Sequence, residues 1–183
     1  MPSGAAVVLI AVTCAQVPGG DGGFVRVLCQ SPSAGSVEVA LPTYGGPSSL
    51  HVLRSSSSAP WLVRIAPGGS DIHFWWVPLS VESSSLKALL SKPIETSTQD
   101  VVCAETDAGA EVRVIRHLWE GHPGETHYAP HRYELLTYPF DRARGRYVEG
   151  PSKQTRDRHR SWEHAAQALG ITCRSLSAEL PSE

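Results

Sequence analysis

The stretch Trp61–Ala66, WLVRIA, the turn Pro67-Gly68-Gly69-Ser70 and the stretch Ile72–Val77, IHFWWV, decide the fold class. In the first, Trp61, Val63 and Ile65 alternate with Leu62, Arg64 and Ala66. A period of two sends neighbouring side chains to opposite faces, which is the geometry of an extended strand. The turn contains a proline and two glycines, the residues that reverse a chain at least cost. In the second stretch Ile72, Phe74 and Trp76 share one face, and His73, Trp75 and Val77 share the other. A strand apolar on both faces is either central in its sheet or presents an aromatic ring for a purpose.

The same rhythm runs outward in both directions. Val7–Cys14 is rich in β-branched residues and predicts a buried strand. The loop over 17–23, VPGGDGG, leads to a second strand, Phe24–Gln30. Val37, Val39 and Leu41 alternate with Ser36, Glu38 and Ala40 in a third. A loop over 44–49, a short strand His51–Arg54 and a polar turn over 55–58 precede Trp61. Further on, Val101–Glu105 and Glu111–Leu118 flank the turn Asp107-Ala108-Gly109. Arg132–Tyr138 and Arg146–Glu149 flank the loop Asp141–Gly145.

Two segments have helical spacing. Leu86, Leu89 and Leu90 form a stripe inside Ser83–Lys92, with Ser83 to cap it and Pro93 to end it. Near the C-terminus Trp162, Ala165, Ala166 and Leu169 share a face. Ser161 stands at the N-cap, and Gly170 stands at the C-terminal stop. The expectation is a mainly β protein of antiparallel sheets, arranged as a sandwich, barrel or partial propeller. It has one short middle helix and one C-terminal helix. Residues 1–175 are expected to form a single domain and 176–183 a flexible tail.

Hydrophobic residues make up 41% and charged residues 19% of the 183, enough apolar surface for a core and too little charge for a disordered chain. A net charge of −2 supplies no general attraction to nucleic acid or an acidic membrane. From Asp141 to Arg160 seven Lys/Arg residues stand against three acidic ones, but stacking aromatics are not interleaved with them, so no nucleic-acid partner is expected. The apolar run Ala5–Val12 lacks the basic residues that precede a secretory segment, and it reads as part of the first strand. No apolar run reaches the roughly 20 residues needed to span a bilayer, so no transmembrane segment is expected.

Four cysteines, Cys14, Cys29, Cys103 and Cys173, form no CxxC pair, which argues against a structural zinc site. They fit two disulfides of undetermined connectivity, or four buried thiols. Reactive side chains concentrate in His117–His131, HLWEGHPGETHYAPH, which holds four of the eight histidines. His117, His122, His127 and His131, with Glu120 and Glu125 between them, have the donor chemistry of a divalent metal site. No HExxH spacing accompanies them. Trp75, Trp76 and Trp119 are the candidate ligand-stacking residues, and core filling is their ordinary alternative use. Ser84 and Lys87 form an isolated SxxK pattern without its companion motifs. Walker, GxSxG and dinucleotide-binding patterns are absent.

The segments RYELLTYPFDRARGRYVEG, from Arg132 to Gly150, and KQTRDRHRSWEHAAQALG, from Lys153 to Gly170, resemble the ends of exported bacterial β-repeat proteins of the degenerate FG-GAP/VCBS-like kind. The resemblance implies an exported β architecture with a binding or structural role. The Asp-rich DxDGD loops of that family are missing here, so its calcium binding does not carry over. The expected function is thus a non-enzymatic β domain of the secreted or periplasmic space, without a cofactor and with a protein or carbohydrate partner. A small metal-dependent hydrolase using residues 117–131 and a cytoplasmic accessory or scaffold domain are the alternatives.

Overall fold

A computed structural model of the chain describes residues 9–16, 23–31, 35–43, 47–53, 61–67, 73–82, 85–98, 100–104, 111–126 and 128–175. Outside the described residues lie His127, Ser83, Ser84, the start of the apolar run, the tail over 176–183, and most of the expected loops and turns over 17–22, 44–46, 55–58, 68–70 and 107–109. The chain divides into two compact units, one of residues 1–54 and 60–95, the other of residues 55–59 and 96–183. Strands dominate both, and a single helix occurs among the described residues. No helix there is long and apolar enough to cross a membrane.

Unit 1 begins with an antiparallel meander of β1 (Leu9–Gln16), β2 (Gly23–Ser31) and β3 (Gly35–Thr43). Leu9 lies opposite Gln30, and Gln16 opposite Gly23. A second antiparallel sheet runs β4 (Pro47–Leu53), β5 (Trp61–Pro67), β6 (His73–Glu82) and β7 (Ser85–Ala88) in chain order. β8 (Ile94–Ser97), which straddles the unit boundary, pairs with β6. The two sheets meet where β3 approaches β7 and β1 approaches β4. These four are the edge strands of their sheets, and their approach is compatible with a sandwich.

β6 is the central strand that its two apolar faces call for. Trp76 is 1% exposed and Trp75 7%, on opposite sides of the strand, with Val77 and Leu79 also buried. Ile65 lies opposite Trp75, and Arg64 lies opposite Trp76. The Arg64 guanidinium sits 3.9 Å from the Phe74 ring centre, close enough for a cation–π contact.

The middle helix expected over Ser83–Lys92 is not formed. Residues 85–88 are β7, and bends follow at 89–92. Leu86 pairs with Val81 and Ala88 with Leu79, while the Leu89 N–H donates to the Pro78 carbonyl at 2.9 Å. The leucine stripe matched helical spacing, but four residues laid along β6 gain more from its ladder than from one isolated helical turn. Lys87 therefore lies on a strand, and its SxxK companion Ser84 lies outside the described residues.

Unit 2 contains β9 (Val101–Ala104), β10 (Glu111–Leu118), β11 (Arg132–Asp141), β12 (Arg146–Tyr147), β13 (Lys153–Gln154), α1 (Trp162–Leu169) and β14 (Arg174–Ser175). The sheet order is β12-β11-β10-β9-β14, with β13 on β11. α1 lays Ala165 and Ala166 on Val101, Cys103, Ile115, Tyr133 and Leu135, and Trp162, Leu169 and Ile171 pack around them. Two alanines at the contact let the helix backbone approach closely. Ser161 occupies the N-cap without a side-chain cap bond; its hydroxyl lies 3.3 Å from Nδ1 of His164. Gly170 ends the helix at φ +68°, the left-handed conformation that glycine adopts without strain, and its N–H reaches the carbonyls of Ala166 and Gln167.

A disulfide joins Cys103 in β9 to Cys173 beyond α1, with Cα atoms 5.1 Å apart. It fastens the end of the helix to the strand on which the helix rests. The other two cysteines are four residues out of register: Cys14 lies opposite Val25 and Cys29 opposite Ile10. At ~3.3 Å per residue that offset exceeds the roughly 7 Å limit for a bridge across this hairpin.

Candidate functional site

The connection between β10 and β11, residues 119–130, is the place where polar and aromatic groups gather. Its order comes from one carboxylate. Glu125 Oε2 accepts the backbone N–H of Glu120 and of His122, each at 3.1 Å, and the Glu125 N–H returns to the His122 carbonyl at 3.0 Å. Gly121 and Gly124 stand at φ +69° and +81° within this fold-back. The loop thus wraps its own amides around an acid, satisfying donors that a turn would otherwise leave to water.

His131, 2% exposed, closes the loop from below. Its Nε2 donates to the Thr126 carbonyl at 3.0 Å, and its Nδ1 lies 3.2 Å from Glu125 Oε1. Its backbone forms a two-bond bridge with His159, at 2.9 and 2.7 Å. Thr155 supports that segment by pairing with Tyr133 through backbone and hydroxyl and by donating to the Asp157 carbonyl at 2.9 Å. Burial pushes the Tyr133 hydroxyl up to about 12, with the charges of Asp100 and Glu163 adding to the effect, so this phenol stays neutral.

His117 is held separately. Its Nδ1 lies 2.7 Å from Asp100 Oδ1, which also accepts the His117 backbone N–H at 2.8 Å. The Ser97 N–H donates to Asp100 Oδ2 at 2.7 Å, and the Ser97 hydroxyl lies 3.2 Å from the same His117 nitrogen. A serine–histidine–carboxylate relay places the carboxylate and the hydroxyl on opposite ring nitrogens. Here both address Nδ1, which orients the ring without forming a relay.

The loop carries the two exposed large hydrophobic residues among those described, Trp119 at 52% and Tyr128 at 96%. The Trp119 ring stacks on His131, with centroids 5.8 Å apart and planes 27° from parallel. The next residue, Glu120, receives Arg132 on Oε1 and Arg158 on Oε2, and His122 Nε2 lies 3.4 Å from Oε2. Loop, strand and following segment are thereby tied at one carboxylate.

Of the expected metal ligands, the fold brings His117 and His131 together, their ring centroids 5.2 Å apart. Nδ1 of His117 is turned to Asp100, and the two ring nitrogens of His131 are turned to Glu125 and Thr126. His122 points to Glu120, and His127 lies outside the described residues. Among the described residues no group of three His, Cys, Asp or Glu is placed to hold a metal ion. Of the expected stacking residues, Trp75 and Trp76 are core and Trp119 faces water. Asp100, Ser97, Arg132 and Arg158 were not anticipated. Asp100 had no local signal: Ile115 pairs with Val101, and this register alone sets His117 beside the residue preceding Val101.

The carboxylates make the loop acid-sensitive. Hydrogen bonding from Arg132 holds Glu120 below the ordinary 4.5 against the opposing effect of burial, and Arg158 assists. Burial raises Glu125, but the amides of Glu120, His122 and Gly121 and the His131 side chain outweigh it and leave the acid below 4.5. A carboxyl whose value is lowered by folding stabilises the fold above its unfolded value, and that contribution fades as pH falls through the folded value. Loop order should therefore be full at neutral pH and be lost below about 4.5. Hydrogen-exchange protection of the Glu120 and His122 amides should fall at pH ~3 while that of β10 persists. Equal protection factors at both pH values would refute the latch.

Comparison with protein-family models, curated proteins and solved structures finds no match to this chain.

Proposed function

We propose that this chain is a non-enzymatic β domain of the secreted or periplasmic space that binds a partner through the loop between β10 and β11. The observation that carries the reading is the Cys103–Cys173 disulfide, since disulfides persist in oxidising compartments and are rare in reducing ones. Two further features support it. The polar groups of the loop are consumed in holding the loop's shape, and a preformed loop that shows aromatic rings to water is suited to recognition. The likeness of the C-terminal third to exported β-repeat proteins points the same way.

The test is the redox state in the producing cell. Thiols are alkylated at lysis and the chain is digested without reduction. The expected product is a linked peptide pair containing Cys103 and Cys173. Full alkylation of both cysteines would overturn the extracytoplasmic reading.

A further inference from the structure

We infer that the Trp119 face is a binding site for an acidic polysaccharide, which rests on the binding-domain reading and gives it a ligand class. The indole is 52% exposed and fixed from behind by a buried imidazole, so docking against it costs little conformational freedom. Sugar rings present flat C–H faces that pack on such a surface, with hydroxyls at the edge for polar neighbours.

Beside the loop acids Glu120 and Glu125 stand several basic side chains. The His131–His159 bridge brings the segment Lys153–Arg160 against the residue on which Trp119 stacks. That segment exposes Lys153, Arg156, Arg158 and Arg160 with one opposing acid, Asp157. Arg132 and Arg158 share Glu120 between them and remain 41% and 47% exposed, so two guanidinium groups are offset by one carboxylate. Guanidinium forks suit carboxylate or sulfate groups on a ligand.

A protein partner of stable affinity needs roughly 800 Å² per side with an apolar centre. Trp119 and Tyr128 are the large hydrophobics exposed among the described residues, which suits a ligand that is mostly polar. The basic residues from Asp141 to Arg160 have no stacking aromatics interleaved with them, which disfavours nucleic acid.

The experiment is calorimetric titration of the oxidised full chain with polygalacturonate, cellohexaose, polyglutamate and an oligothymidylate. Saturable binding of polygalacturonate is expected, stronger than that of the other three and weakening as ionic strength rises. Trp119→Ala should lower affinity about tenfold, the equivalent of one stacking contact, and Trp119→Phe by less. Thermal melts of both variants establish that they fold, and Trp119→Phe alone decides if the alanine variant does not. Absence of saturable binding, undiminished affinity in the variants, or tighter binding of the neutral sugar, polyglutamate or oligothymidylate would overturn the site. A chain that keeps its disulfide in cells yet ignores polygalacturonate would lose this inference alone, and a reduced chain would lose the reading beneath it.

Discussion

Trp76→Ala should destabilise unit 1 by about 3–5 kcal/mol, the range for deleting a fully buried indole. The side chain is 1% exposed on the middle strand of its sheet, opposite Arg64 and next to the buried Val77. Truncation removes the apolar transfer energy and leaves a void that strands pinned on both sides cannot close. The Arg64 guanidinium, 6.0 Å from the Trp76 ring, also loses an aromatic neighbour. Trp75→Ala should behave similarly, because that ring is 7% exposed on the other face. Trp119→Ala, at a half-exposed position, should cost less than about 1 kcal/mol. Urea unfolding of the three variants gives the comparison. Equal midpoints for Trp76→Ala and Trp119→Ala would show that β6 is not the buried strand described.

Removing the disulfide should have the second-largest effect. Cys103 and Cys173 are 70 residues apart in sequence, and a cross-link over that span restricts the unfolded chain strongly. A Cys103→Ala/Cys173→Ala chain should lose about 2–4 kcal/mol, and reduction of the unaltered chain should produce a similar loss. The altered region should include the end of α1, since Ile171 and Cys173 pack on the same cluster as Ala165 and Ala166. Denaturant unfolding with and without reductant measures the difference. A change below about 0.5 kcal/mol would mean that the helix is held by its alanine face alone.

Much of the strand pattern was legible because its signal is contiguous. Glu111–Leu118 forms β10 with the expected bounds, and Trp61–Ala66 forms β5 with one residue added. Gly170 stops α1 where its backbone freedom is needed. β6 was read short, ending at Val77; the strand runs through Pro78 to Glu82. The Pro78 carbonyl remains an acceptor and takes the Leu89 N–H. The segment over 83–92 was read as helix because three leucines at helical spacing cannot report that β6 lies alongside.

The candidate site was legible as a neighbourhood but not as an arrangement. Residues 117–131 were recognisable as a dense set of imidazoles, carboxylates and one indole. What each group does depends on others 17, 20 and 38 positions away, in the His117–Asp100, Ser97–His117 and Glu120–Arg158 contacts. Composition pointed to the imidazoles; the geometry engages both ring nitrogens of His131 with the loop and Nδ1 of His117 with Asp100 and Ser97.

Local periodicity, turn residues and capping positions settled by themselves that this chain forms antiparallel strands with a helix near its end, because backbone dihedrals and face alternation are decided within a few residues. Three matters were decided only in the folded molecule: which cysteines join, which tryptophan faces water, and which oxygen each histidine nitrogen meets. Each depends on strand register and on the approach of groups distant in sequence, and such contacts have no energy until the sheet has brought their partners within a few ångströms.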